Sequence, residues 1–218
     1  MVDLAEFSRD PDAANRLLVA ERDSLLPLLL DIPETDFERL TSCCGWSVRD
    51  VLAHCGAALS RIATDQLHDF SPERNQQDVL DRRHWPVSRV LAELASGYTA
   101  AAPAIAAAGG DLDIIALGEW VHGGDVRDAL GLPDPYGSAG VEEALAILAL
   151  SDRVKKKPAV HVVLPDRHFE LGGVDCGRSS VELITDLPTL IRLYTGRPAD
   201  PARYLLAGVR TAELVIYG

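Results

Sequence analysis

From Asp12 to Arg153 apolar residues recur at helical spacing in five stretches, and after the charged, proline-ended run Lys155-Lys156-Lys157-Pro158 short strand-like runs take over. The first helix is expected over about 12–30, with Leu18, Leu25 and Leu29 on one face and a kink at Pro27, whose ring removes a backbone donor. Ser47 is suited to cap a second helix reaching about Leu67, along which Val48, Val51, Leu52, Leu59 and Ile62 repeat. The charged stretch 71–83 reads as a loop or a frayed helical turn. A third helix follows Trp85-Pro86, carries Val90, Leu91, Leu94 and Tyr98 on one face, and stops at Gly109-Gly110. A fourth spans about 114–130 and contains Gly123-Gly124; each interior glycine costs up to about 1 kcal/mol, so close packing or room for a ligand is expected to compensate. A fifth covers about 139–153.

Beyond the linker, strands are expected at 159–164, 168–171 and 181–185, with turns at Pro165-Asp166 and Gly172-Gly173. Asp186 caps a helix through Tyr194 that Gly196 closes; a short helix near 201–206 and a final strand over 212–217 follow. The pattern therefore predicts an α+β chain in two parts, a mostly α bundle over 1–154 and a small α+β unit over 158–218, the latter marginal on its own.

Composition narrows the function classes. A net charge of −12, with basic residues scattered, disfavours nucleic acid and anionic membrane surfaces as partners. No segment reads as the roughly 20 apolar residues that cross a bilayer, and the N-terminus lacks the order of a signal peptide, so a cytoplasmic location is expected. Four cysteines, at 43, 44, 55 and 176, show no CxxC spacing, and structural disulfides are not expected. Neither G-x-S-x-G nor a phosphate-cradling glycine loop is present, which disfavours serine hydrolases and nucleotide-dependent enzymes.

The residues that carry chemistry are His54, in CCGWSVRDVLAHC, and Glu119 with His122, in GEWVHGGDVRDALG. Helix positions three apart point within about 60° of each other, so Glu119 and His122 can reach one ion, and His54 from a second helix can complete a three-ligand site. Imidazole nitrogen and carboxylate oxygen are the ligands of catalytic zinc, where three protein groups leave a fourth position open. The competing reading is a hydrogen-bonded core histidine and a polar helix face. Asp125, three residues beyond His122, is the substitute ligand, or alternatively a capping or outer carboxylate that holds a ligand in place. Cys55 points about 100° away from His54 and reads as core. His161 and His168 flank the first hairpin turn, but no third ligand is spaced to join them. His68 and His84 read as solvated, and Cys43-Cys44 as two small buried side chains.

Thr41 to His54, TSCCGWSVRDVLAH, resembles the T-x-C-P-G-W-S-V-x-D-V-L-A-H signature of the mycothiol-dependent maleylpyruvate isomerase family, and GEWVHGGDVRDALG resembles its second signature. The resemblance implies a DinB-like four-helix bundle carrying a divalent metal, usually zinc, followed by a smaller sterol-carrier-like domain. It implies His54 as the ligand from the second helix and Glu119 and His122 as those from the fourth. It implies an enzyme using mycothiol, a low-molecular-weight thiol, as cosubstrate: an isomerase or S-transferase in which a metal-bound thiolate attacks an electrophilic small molecule. Arg197, near the Thr195-Gly196-Arg197 stretch, is the implied contact for an acidic substrate, against a plain surface arginine after a helix end.

Two departures stand out: Cys44 where the family has proline, and two residues between Glu119 and His122 where the family has three. The shorter spacing swings the carboxylate by about 100°, which is chemically tolerable because Glu-x-x-His itself binds metal in ferritin-like bundles, and a local π-bulge could also absorb it. It also favours the rival reading, a non-enzymatic metal- or ligand-binding bundle. Substrate, choice of ion and oligomeric state are not written in the chain.

Overall fold

A computed structural model describes residues 7–43, 45–66, 71–175, 177 and 181–217. Cys44, His68 and Cys176 lie outside them. The chain divides into two compact units, one of Pro11–Gly140 and one joining Val141–Gly218 to the segment that ends at Asp10.

In the first unit α1 (Ala13–Asp31) runs through Pro27, and a 3-10 turn (Glu34–Glu38) leads toward α2 (Val48–Ala63). Ser47 and Asp50 form a reciprocal capping box: the serine accepts from the Asp50 amide and the carboxylate accepts from the Ser47 amide at 3.0 Å. The helix ends at Ala63, short of Leu67, and Asp65 follows with a φ of 54°. Where a loop or frayed turn was expected, α3 (Pro72–Arg82) forms, capped by Ser71 with proline at its start. Its anchor is ionic: Asp78, fully buried, binds Arg61 of α2 at 3.1 Å and Arg74 at 2.8 Å. Charged residues here secure a helix that apolar periodicity alone does not reveal.

α4 (Val87–Ala107) and α5 (Asp113–Ala129) complete the bundle, in which α1 packs on α4 and α5, and α2 packs on α3, α4 and α5. Contrary to the sequence expectation, α4 is long and apolar enough, by length and composition, to cross a bilayer. Its Val90, Leu94, Tyr98, Ala101 and Ile105 face is spent on the bundle core. Gly123 and Gly124 of α5 both accommodate neighbours. A methyl group at Gly123 would lie 1.7 Å from Oε1 of Glu21, and one at Gly124 would lie 2.6 Å from the Tyr136 ring.

The second unit opens with α6 (Val141–Leu150) and α7 (Asp152–Lys155). The helix expected to end the bundle thus groups with the C-terminal unit, because Ala144, Leu145 and Leu148 face that core and α6 packs on the C-terminal α8 (Leu187–Thr195). Strands β1 (Val160–Val163), β2 (His168–Leu171), β3 (Glu182–Thr185) and β4 (Tyr204–Ala207) form a mixed sheet in the order β2-β1-β3-β4. β1 is antiparallel to β2 and parallel to β3, and β3 is antiparallel to β4. Alternation puts Val160, Val162, Phe169, Leu171 and Leu183 inside with Leu190, Ile191 and Tyr194 of α8. The C-terminal order differs from expectation. A 3-10 turn (Pro201–Arg203) stands where the short helix was expected, Tyr204–Ala207 then forms the last strand by pairing with β3, and α9 (Thr211–Leu214) follows, the Glu213 carboxylate accepting from the Arg210 amide at 2.9 Å.

Candidate metal centre

The loop ahead of α2 is tied to itself. Thr41 donates its amide to Trp46 O at 2.9 Å, Trp46 returns an amide bond to Cys43 O at 3.0 Å, and Gly45 takes a φ of 81° that only glycine adopts without strain. With the Leu40–Ser47 bridge and the capping box beyond it, this fold-back holds the half-buried Cys43 thiol against α5. Cys43 Sγ lies 3.1 Å from Asp125 Oδ2 and 3.5 Å from His122 Nδ1, and those two atoms are 3.1 Å apart. Among the described residues this is the group of three potential ligand atoms that converge.

Asp125 is fully buried, and its two oxygens are divided in purpose. Oδ1 accepts from Ser42 at 2.7 Å and from the Tyr136 hydroxyl, whose ring reaches this place over the side-chain-free Gly124. Oδ2 is thereby left turned toward Cys43 and His122, as partners that orient a metal ligand would leave it. His54 stands beside the group. Its ring meets that of His122 edge-on with centroids 5.3 Å apart, and Trp46 covers it at 5.1 Å. His54 is 7% exposed and its Nδ1 has no hydrogen-bond partner. Burial, and then the His122, Arg61 and Arg82 charges, push its pKa down to about 3, so the ring is neutral at neutral pH.

Glu119 goes elsewhere. α5 is regular from Asp113 to Ala129, with no π-bulge to absorb the shortened spacing, and Gly118 occupies the position four before His122. The Glu119 carboxyl therefore turns to the bundle interior, where it pairs with the Cys55 thiol and leaves Oε2 without a partner. Burial pushes its pKa up to about 8; the Cys55 hydrogen bond opposes the rise and Glu21 adds to it. Cys55 is core, as expected, and burial raises its pKa too. Behind Gly123, fully buried Glu21 accepts from Arg127 at 2.8 and 3.2 Å, and Arg127 also reaches Ser24 at 2.8 Å.

Of the sequence candidates, then, the structure brings His54, His122 and Asp125 together and sets Glu119 in the interior. Arg197 lies in the C-terminal unit, just after the left-handed Gly196 that ends α8, and donates to Thr195 O at 2.7 Å. Sequence reasoning missed Cys43 as a donor, although it stands within the first signature, and missed Tyr136, which nothing in the linear pattern marks.

The donor set suits a divalent ion. Bonds of about 2.0–2.3 Å to nitrogen, oxygen and sulfur around a tetrahedron place ligand atoms roughly 3.3–3.6 Å apart. The observed 3.1–3.5 Å requires only small adjustments. Fold and site together define a helical bundle with a thiol–imidazole–carboxylate cluster, followed in the chain by a small α+β unit.

The chain belongs to the mycothiol maleylpyruvate isomerase family: the profile described as "Mycothiol maleylpyruvate isomerase N-terminal domain" matches residues 18–130, just over half of the sequence. Two crystal structures share the fold. One, of the mycothiol-dependent maleylpyruvate isomerase, is 14% identical, with a TM-score of 0.54 over 95% of this chain and 96% of that one. The other, a histidine-to-alanine mutant of the mycothiol-dependent maleylpyruvate isomerase, is 13% identical, with a TM-score of 0.58 over the same shares. No curated protein matches the chain.

Proposed function

We propose that this protein is a metal-dependent thiol enzyme, a mycothiol-using isomerase or S-transferase acting on an electrophilic small molecule. The observation that carries the reading is the convergence of Cys43, His122 and Asp125 within 4.8 Å beside a buried His54 whose Nδ1 has no hydrogen-bond partner. In this proposal Cys43, His122 and Asp125 hold the ion, and Asp125 takes the place expected of Glu119. When bound there, a zinc-type ion supplies Lewis acidity that lets a thiol ionise near neutral pH.

The protein's own groups do the rest. Tyr136 and Ser42 fix Asp125 through Oδ1 and leave Oδ2 as the donor. His54, neutral and wedged between Trp46 and His122, offers the lone pair of a ring nitrogen to the hydrogen of an incoming thiol. Trp46 shields that ring from water. Arg197 is the proposed contact for a carboxylate on the substrate.

One observation favours the rival, a non-enzymatic metal-binding bundle. With His54 added, Cys43, His122 and Asp125 become four protein donors, the closed coordination number of structural zinc sites. The experiment that separates the two follows the consumption of maleylpyruvate by the zinc-loaded protein with and without mycothiol. The enzyme reading expects thiol-dependent turnover that His122→Ala lowers by about 100-fold or more. Stoichiometric zinc with no thiol-dependent turnover of this or other electrophiles favours the structural module.

A further inference from the structure

The geometry points to a second divalent-cation site, on the solvent face of the C-terminal sheet, made by His161, His168 and Glu170. In the linear sequence the two histidines have no third ligand. The sheet supplies one. The register pairs His161 with Glu170 across β1 and β2 and Val163 with His168, so both histidines and the glutamate stand on one face, opposite the buried Val160, Val162, Phe169 and Leu171. On the other flank of His161, the parallel pairing with β3 sets Glu182 in register, which adds negative charge beside the same imidazole.

The three ligand atoms do not all lie within 4.8 Å of one another as those of the bundle cluster do, but the spacing of the rings and of the His161–Glu170 pair is near that of a shared ion. The ring centroids of His161 and His168 are 5.6 Å apart, with their planes tilted by 47°. Two imidazoles bound through nitrogen at about 2.0–2.1 Å across a tetrahedral angle have centroids roughly 5.2 Å apart. Glu170 Oε1 is 2.8 Å from His161 Nδ1, so these two donors need only open by about half an ångström to flank a metal. His161 and Glu170 are 41% and 45% exposed, so side-chain rotation closes the set without moving the strands. Two imidazoles and one carboxylate suit zinc and its late first-row neighbours and suit magnesium poorly. All ligands come from a single hairpin, so the site is independent of the cluster in the bundle.

The test uses the full chain, stripped with chelator and titrated with zinc chloride alone, reading bound equivalents together with histidine ring-proton signals by NMR. One zinc equivalent is expected to be lost in His161→Ala and in His168→Ala, with the thermal unfolding of the metal-free protein unchanged. Glu170→Gln weakens that equivalent by about tenfold. In the unaltered protein the ring signals of His161 and His168, assigned from the single variants, move together as zinc is added. Retention of every zinc equivalent in both alanine variants, or His168 ring signals that stay still through the titration, overturns the site. Loss of the bundle equivalent on Asp125→Asn is a separate arm, so failure of this proposal and failure of the bundle centre are read independently.

Discussion

Glu119→Gln offers the sharpest view of what the bundle interior costs. The Glu119 carboxyl is 2% exposed, has the Cys55 thiol as its partner instead of a cation, and titrates near 8 in the folded protein against 4.5 in the open chain. The folded state therefore holds a proton that the unfolded chain has released between those values. Stability from this group is full below pH 4.5 and is lost as pH climbs toward about 8. The displacement sets a ceiling of about 5 kcal/mol, and relaxation with water entry around the charged form brings the expected loss to about 2–3 kcal/mol. Glutamine keeps the shape and removes the titration.

The assay is urea unfolding of the chelator-treated protein, followed by tryptophan fluorescence. Trp46, Trp85 and Trp120 all lie in the bundle unit, so the signal reports that unit alone. Glu119→Gln should match the parent within about 1 kcal/mol at pH 5 and exceed it by about 2–3 kcal/mol at pH 9, a midpoint difference of about 1 M urea. Glu21, also pushed up by burial despite Arg127, is present in both proteins, and its repulsion of a charged Glu119 is part of the alkaline loss that glutamine removes. Added zinc should raise both proteins alike. A parent whose stability does not fall between pH 5 and 9 relative to the variant refutes the reasoning. An alkaline loss that zinc abolishes in the parent would make Glu119 a ligand after all.

Other consequences are open to simpler measurements. Gly124→Ala drives a methyl group into the Tyr136 ring, displacing the hydroxyl from Asp125, and zinc affinity by calorimetry should fall about tenfold or more. Gly123→Ala collides with Glu21 against Arg127; helix propensity returns up to about 1 kcal/mol, but disruption of the buried pair costs about 3–5 kcal/mol, so the thermal midpoint should drop. His54→Gln should remove an acid-side instability. With a folded pKa near 3, His54 contributes stability that is present above pH 6.5 and lost as pH falls toward 3, so the metal-free variant should lose less stability between pH 6.5 and 4 than the parent does.

The bundle was legible because its apolar faces repeat at helical spacing and Ser47 announces a helix start, as Asp186 does for α8 in the C-terminal unit. α3 was not, since Asp78, Arg61 and Arg74 secure it and ion pairs leave no periodic trace. At the end of the C-terminal unit the strand was expected at 212–217 and a helix near 201–206; only pairing with β3 makes Tyr204–Ala207 the strand and leaves the helical turn before it at Pro201–Arg203. In the site, His54, His122 and Asp125 followed from motif and helix geometry. Glu119 had a carboxylate and a fitting distance from His122, but one residue of spacing rotated it toward Cys55. Cys43 and Tyr136 meet Asp125 from segments 82 and 11 positions away, a proximity that only the folded chain creates.

The most direct test of the metal centre is zinc K-edge X-ray absorption on protein loaded with one zinc equivalent, in a His161→Ala, His168→Ala background that leaves the bundle site alone. The expected spectrum contains one sulfur at about 2.3 Å among nitrogen and oxygen neighbours at about 2.0–2.2 Å, with the sulfur gone in Cys43→Ala and the spectrum unchanged in Glu119→Gln. A shell without sulfur, or one altered by Glu119→Gln and indifferent to Cys43→Ala, would contradict it.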